Sequence, residues 1–122
     1  MAWSFSSDAP VYIQLSERIK KQIIAGEYAP GAQIPSVRQL AIDIAVNPNT
    51  VQHALGRLEE EALVESRGTL GRFVTTDKAV IEQCRIQDAK SLVRGFVASA
   101  RQMSMTNEQI EKMIKEELYE RS

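Results

Sequence analysis

The chain has 122 residues and carries 15 Lys and Arg against 16 Asp and Glu, for a net charge of −1 at pH 7. That length fits one ordinary domain, or a small domain with an accessory piece, and excludes a DNA-reading domain joined to a large effector domain. A composition of 43% apolar and 25% charged residues is that of a folded chain, and the near-zero balance excludes a polybasic nucleic-acid coat or a membrane-surface polycation.

A first amphipathic helix is predicted over 10–25. Pro10 suits its start, Val11, Leu15, Ile19 and Ile23 recur every four residues with Tyr12 beside them, and Gly26 stops it. Residues 28–31 read as a turn, and Gln33-Ile34-Pro35 as extended, because a residue before Pro avoids the helical region. A second, short helix starts after Pro35. Ser36 and Gln39 have the spacing of a reciprocal capping box, and Val37, Leu40, Ala41 and Ile44 form the apolar face. The third helix follows at once, with Asn47 as N-cap, Pro48 at the first helical position, and Val51, Ala54, Leu55 and Leu58 at i, i+3, i+4 and i+7.

After Glu59-Glu60-Glu61 the period changes. Residues 63–67 and 72–75 read as two strands, with Gly68-Thr69-Leu70-Gly71 as the turn of a β-hairpin in which the glycines take positive φ. A long helix is predicted over 77–103, with Val80, Ile81, Cys84, Ala89, Leu92, Val93, Phe96, Val97, Ala100 and Met103 along its stripe. A last helix is predicted over 107–120, with a Thr106–Gln109 capping box and a Met105–Ile110 hydrophobic staple. Trp3 and Phe5 precede the first helix and pack either on the core or on a partner subunit.

The fold class is therefore mainly α with a small β-hairpin: a winged helix-turn-helix over 10–76 followed by a two-helix tail over 77–122. An α-helix fits the major groove, and its first turn presents side chains to base edges. Here that turn carries Asn47, Asn49, Thr50, Gln52 and His53, and Asn and Gln can pair bidentately with adenine. The backbone amides at the helix start favour a phosphate oxygen. Arg38, with Ser36 beside it, points at the flanking backbone or groove edge; the competing reading is a surface ion pair with Asp43 or a nearby Glu. Arg57, further along the third helix, reaches phosphate at most. Arg67, Gly68, Thr69, Gly71 and Arg72 form a wing that approaches the adjacent minor groove, where Arg reads narrow width.

These residues match a known family. Pro10-Val11-Tyr12-Ile13-Gln14-Leu15, the segment from Gly26 to Gly31, Pro35-Ser36-Val37-Arg38-Gln39-Leu40-Ala41, Val46-Asn47-Pro48-Asn49-Thr50-Val51-Gln52-His53-Ala54-Leu55, Leu58-Glu59 and Gly71-Arg72-Phe73-Val74 resemble the GntR family of bacterial transcription regulators. The remainder is similar to the short two-helix tail of the YtrA subfamily. The resemblance implies a homodimer held by the tail, a double-stranded DNA operator, repression, and control of nearby transporter genes. It also implies that Arg38, Asn47, Asn49, Thr50 and Gln52 fall on DNA-contacting positions, with Gly68, Thr69 and Gly71 at or beside the wing tip. Ala45 and Ala62 stand where the family usually has Gly, at a cost of about 1 kcal/mol wherever φ must be positive. The wing's first glycine lies one place earlier than in the usual Gly-x-Gly, and Gln52 and His53 stand where many relatives carry Arg.

The expected dimer interface is Leu92, Val93, Phe96, Val97 and Ala100, and two-fold symmetry predicts half-sites roughly 10 bp apart. A winged-helix module that binds protein instead of DNA is the alternative. The polar first turn of the third helix argues against it, since a protein-binding face usually carries an aromatic or aliphatic anchor. No run of 18 apolar residues and no basic start before an apolar stretch occurs, so neither a transmembrane helix nor a signal peptide is expected. A lone Cys84 suits a reducing cytoplasm. One His and one Cys cannot build a Cys/His zinc site, and no nucleophile–base pair or phosphate loop stands out. The expectation is therefore no metal, no cofactor and no enzymatic activity. The two tail helices leave little volume for a small-molecule effector.

Overall fold

The computed structural model describes residues 3–120. Helices α1 (Val11–Ile24), α2 (Val37–Ile44) and α3 (Pro48–Glu60) come first. Strands β1 (Val64–Ser66) and β2 (Arg72–Val74) follow, joined through a 3₁₀ turn at Gly68–Leu70. Then come α4 (Lys78–Gln102) and α5 (Asn107–Lys115), with a π-helical turn at Glu116–Glu120. The last turn departs from the regular helix expected to residue 120. Glu116, Glu117 and Glu120 sit at the negative end of the helix dipole, where acidic side chains weaken the ladder.

The predicted stripes meet in one core. Leu15, Ile19 and Ile23 of α1 are buried with Leu40 and Ile44 of α2 and with Val51, Leu55 and Leu58 of α3. Each such aliphatic contributes about 1.5–3 kcal/mol relative to an exposed position. Trp3 and Phe5 pack on this same core, which decides between the two alternatives for them. Their rings flank the Arg18 guanidinium at 5.4 and 4.8 Å, and Arg18 also donates to the Ser4 carbonyl.

Local chemistry sets the ends of the elements. Ser36 Oγ accepts the Gln39 N–H at 3.1 Å, but Gln39 Nε2 donates to Asp43 Oδ1 at 2.7 Å instead of turning back. Only half of the box predicted at α2 therefore forms, because an acceptor four residues on competes for the Gln amide. At Thr106 and Gln109 both halves form. Between α2 and α3 the chain turns through Ala45, at φ 62° and ψ 52°, and Ala62 after α3 has φ 61°. Both alanines thus occupy the left-handed conformation.

The hairpin is antiparallel, pairing Val64 with Val74, Glu65 with Phe73 and Ser66 with Arg72. Its strands are shorter than predicted. Leu63 is claimed by the end of α3, its N–H donating to the Leu58 carbonyl at 3.0 Å. The extended segment before α2 does more than link helices. Gly31 and Ile34 donate to the carbonyls of Val74 and Arg72 at 3.0 and 2.8 Å, and Val74 donates back to Ala32 at 2.8 Å. This segment covers the outer edge of β2, which would otherwise be left unpaired.

Two compact units result, one through Cys84 and one from Arg85. The first extends beyond the winged helix expected over 10–76, because Val80, Ile81 and Cys84 at the start of α4 pack on its core. In the second unit Ala100 and Ile110 are buried, Val97 is half-buried, and Leu92, Val93 and Phe96 are exposed. No helix among the described residues is long and apolar enough to cross a membrane.

Candidate nucleic-acid interface

The start of α3 is closed off by its own cap. Asn47 Oδ1 accepts the Asn49 N–H at 2.8 Å, Pro48 has no N–H, and the amides of Thr50 and Val51 donate to the Asn47 carbonyl at 3.0 and 3.2 Å. The backbone amides expected to hold a phosphate are thus already satisfied, so polar contacts at this end fall to side chains. Asn49 and Gln52 are exposed and Thr50 is half-buried. Among the described residues, none of their side chains makes an intramolecular hydrogen bond. His53, one residue on, is exposed and stacked on Tyr12 of α1.

The arginines divide into two groups. Arg38 is exposed and makes no ion pair among the described residues, while Asp43 is engaged by Gln39. The competing surface ion pair for Arg38 is therefore not formed. Arg57 instead ties α3 to α1: its Nη1 donates to Ser16 Oγ at 3.2 Å, and the buried Ser16 hydroxyl donates to the Ile13 carbonyl at 2.8 Å. Lys20 and Glu61, at 2.9 Å, fasten the same two helices near the end of α3.

On the wing, Arg72 Nε donates to Glu59 Oε1 at the end of α3, and this pair is half-buried. Arg67 pairs with Glu65 at 3.4 Å and lies 4.4 Å from the Phe73 ring. Thr69 and Gly68 are exposed at the tip. Ser36, Thr69, Gly71 and Arg72 line one cleft of about 300 Å³ between the start of α2 and the wing. Gln33, which the sequence reading did not single out, lines it too and donates to the Leu70 carbonyl at 2.8 Å. A polar residue before Ile-Pro carried no signal of that role, because its partner lies 37 residues away.

An exposed polar turn at the start of the second helix of a helix-turn-helix, with an exposed arginine in the helix before it and a hairpin after it, is the element order of a winged helix-turn-helix. The sequence pattern of the bacterial regulatory proteins, gntR family, matches residues 11–74. The chain belongs to the GntR family. It is 30% identical over 111 residues to the HTH-type transcriptional repressor YtrA of Bacillus subtilis, spanning 90% of this chain and 85% of YtrA. Its fold is similar to that of a GntR family transcriptional regulator from Listeria monocytogenes, with TM-score 0.86 and 33% identity over 92% of this chain and 98% of that one. It is also similar to AraR(DBD) in complex with operator ORX1, with TM-score 0.56 and 26% identity over 62% of this chain and 95% of that one. The YtrA and Listeria matches reach beyond the winged helix into the tail, so the YtrA-like GntR architecture extends over most of the chain.

Proposed function

We propose that this DNA-binding transcription regulator of the GntR family is a cytoplasmic, non-enzymatic repressor that acts as a homodimer on a palindromic operator. The observation that carries the reading is the first turn of α3, where Asn49 and Gln52 are exposed with their hydrogen-bonding groups unspent. Such amides are suited to base edges, while an unpaired Arg38 is suited to phosphate. Likeness to AraR(DBD), whose structure holds an operator, supports placing this helix against DNA. Asn47 caps and positions the turn, and Ser36 and Thr50 offer hydroxyls to the DNA backbone. His53 offers one ring edge.

The wing adds Gly68, Thr69 and Gly71 at its tip, with Arg67 beside them. Arg57 and Arg72 reach phosphate only by loosening their bonds to Ser16 and Glu59, so their first role is to hold the domain together. Residues 77–122 form the dimerisation domain. Leu92, Val93 and Phe96 are exposed apolar side chains on α4 and, with Val97, supply the seam. Ala100 is already buried within one chain and adds no new burial there.

The test is an anisotropy titration on a labelled duplex carrying the DNA upstream of the protein's own gene, run from 50 to 200 mM salt. Neutralised phosphates predict a steep fall in affinity across that range, about 10³-fold for six contacts. Binding that ignores salt, or none at 50 mM, contradicts the reading.

A further inference from the structure

We infer that Gln33 is the positioning residue of the wing: it holds the tip loop in the shape that meets DNA, without touching DNA itself. The inference rests on the reading of the wing as a DNA-facing element. Three observations converge on it. Gln33 Nε2 donates to the Leu70 carbonyl at 2.8 Å, across 37 residues of sequence. The Gln33 backbone also forms an antiparallel bridge with Phe73, so its side chain springs from a fixed point beside β2. A Cβ placed on Gly71 would lie 2.9 Å from Gln33 Nε2, and Gly71 has φ +106°. The glycine that closes the tip is thus required by its backbone conformation, and a side chain there would also displace this amide from its place over the tip.

The rest of the tip is loosely held. Leu70 is 67% exposed, and the 3₁₀ turn closes on itself through Leu70 N–H to the Arg67 carbonyl at 3.1 Å and Gly71 N–H to the Gly68 carbonyl at 3.4 Å. Among the described residues, Gln33 makes the one side-chain hydrogen bond that reaches this turn from outside the hairpin. Gln33 lines the cleft between α2 and the wing and lies three residues before Ser36, so its bond sets the spacing between the wing tip and the start of α2. A two-point docking surface needs that spacing fixed, because a misplaced tip loses its contacts even when α3 is seated.

Gln33→Glu tests this directly. It is isosteric and replaces the donor with a carboxylate that repels the Leu70 carbonyl. The probe is a duplex enriched from a random pool by the wild-type protein. Gln33→Glu is expected to bind it about five-fold more weakly, the loss that one hydrogen bond supplies. The wild-type thermal midpoint should be retained, and the order parameters of the Gly68–Gly71 amides should fall. In a Thr69→Ala, Arg67→Ala background, where the tip contacts are already gone, the same substitution should change affinity less than two-fold. Gln33→Lys restores a donor and should restore the order parameters. Full affinity and an unchanged tip in Gln33→Glu would overturn the inference, as would an equal loss with and without the tip contacts. Failure of the wild type to enrich any duplex would instead overturn the DNA reading on which the inference rests.

Discussion

The imidazole of His53 lies flat on the phenol ring of Tyr12, with 3.6 Å between centroids and 7° between planes. The stack joins α1 to the face of α3 proposed to meet DNA, and it fixes the ring that follows Gln52. Replacing Tyr12 with Leu keeps apolar bulk and removes the stack, so urea denaturation should show a loss of about 0.5–1.5 kcal/mol. His53→Ala should cost a similar amount, and the double mutant should cost clearly less than the two together. Strict additivity would mean that the rings do not hold one another.

Arg38 and Arg57 separate function from stability. Arg38→Ala should leave unfolding unchanged, weaken binding to all duplexes alike, and lower the salt slope by about one. Arg57→Ala strips the buried Ser16 hydroxyl of a donor, and Arg72→Ala removes the partner of Glu59. Each should lower stability on the order of 1 kcal/mol, since both sites keep some access to water. Denaturation curves beside anisotropy titrations decide it. Destabilisation by Arg38→Ala, or none by Arg57→Ala, would reverse the assignment.

Ala45 and Ala62 hold φ near +60° without glycine's freedom. Ala45→Gly and Ala62→Gly should each raise stability by roughly 0.5–1 kcal/mol, because release of Cβ strain outweighs the added freedom of the unfolded chain. The sites lie at opposite ends of α3, so their effects should add. A thermal midpoint that falls in either variant contradicts the strain argument.

What could be read before the structure was local. The caps at Ser36, Asn47 and Thr106, the apolar stripes and the glycines of the hairpin all follow from neighbours within four residues, so helix and strand positions were legible to within a few residues. The polar turn at Asn49–Gln52 was legible for the same reason. The fates of the arginines were not. Arg57 meets Ser16 across 41 residues and Arg72 meets Glu59 across 13, and no periodicity announces either pairing. Even within one turn, competition hid an outcome: Gln39 could turn its Oε1 back to the Ser36 N–H or carry its Nε2 forward to Asp43, and it took Asp43. The pairing of residues 31–34 with β2 was hidden as well, since an extended segment before Pro shows its shape but not its neighbour.

The tail makes a prediction about assembly. Leu92 is 74% exposed and Phe96 42% exposed in the single chain, and both belong to the α4 face proposed as the seam. Phe96→Asp would place a charge in that seam, so light scattering after size exclusion should move the species from dimer to monomer. DNA affinity should fall by at least ten-fold as two linked half-site contacts become one. A dimer that survives Phe96→Asp and Leu92→Asp together would place the interface elsewhere.

The central claim is that the first turn of α3 reads bases. Selection from a random duplex pool, carried out in parallel with the wild type and with Asn49→Ala, tests it most directly. The wild type should enrich a palindrome with half-sites roughly 10 bp apart. Asn49→Ala should retain salt-dependent binding but lose preference at one position in each half-site, a relaxation worth about 1–3 kcal/mol. An unchanged enriched sequence in Asn49→Ala, or no enrichment by the wild type, would contradict the account.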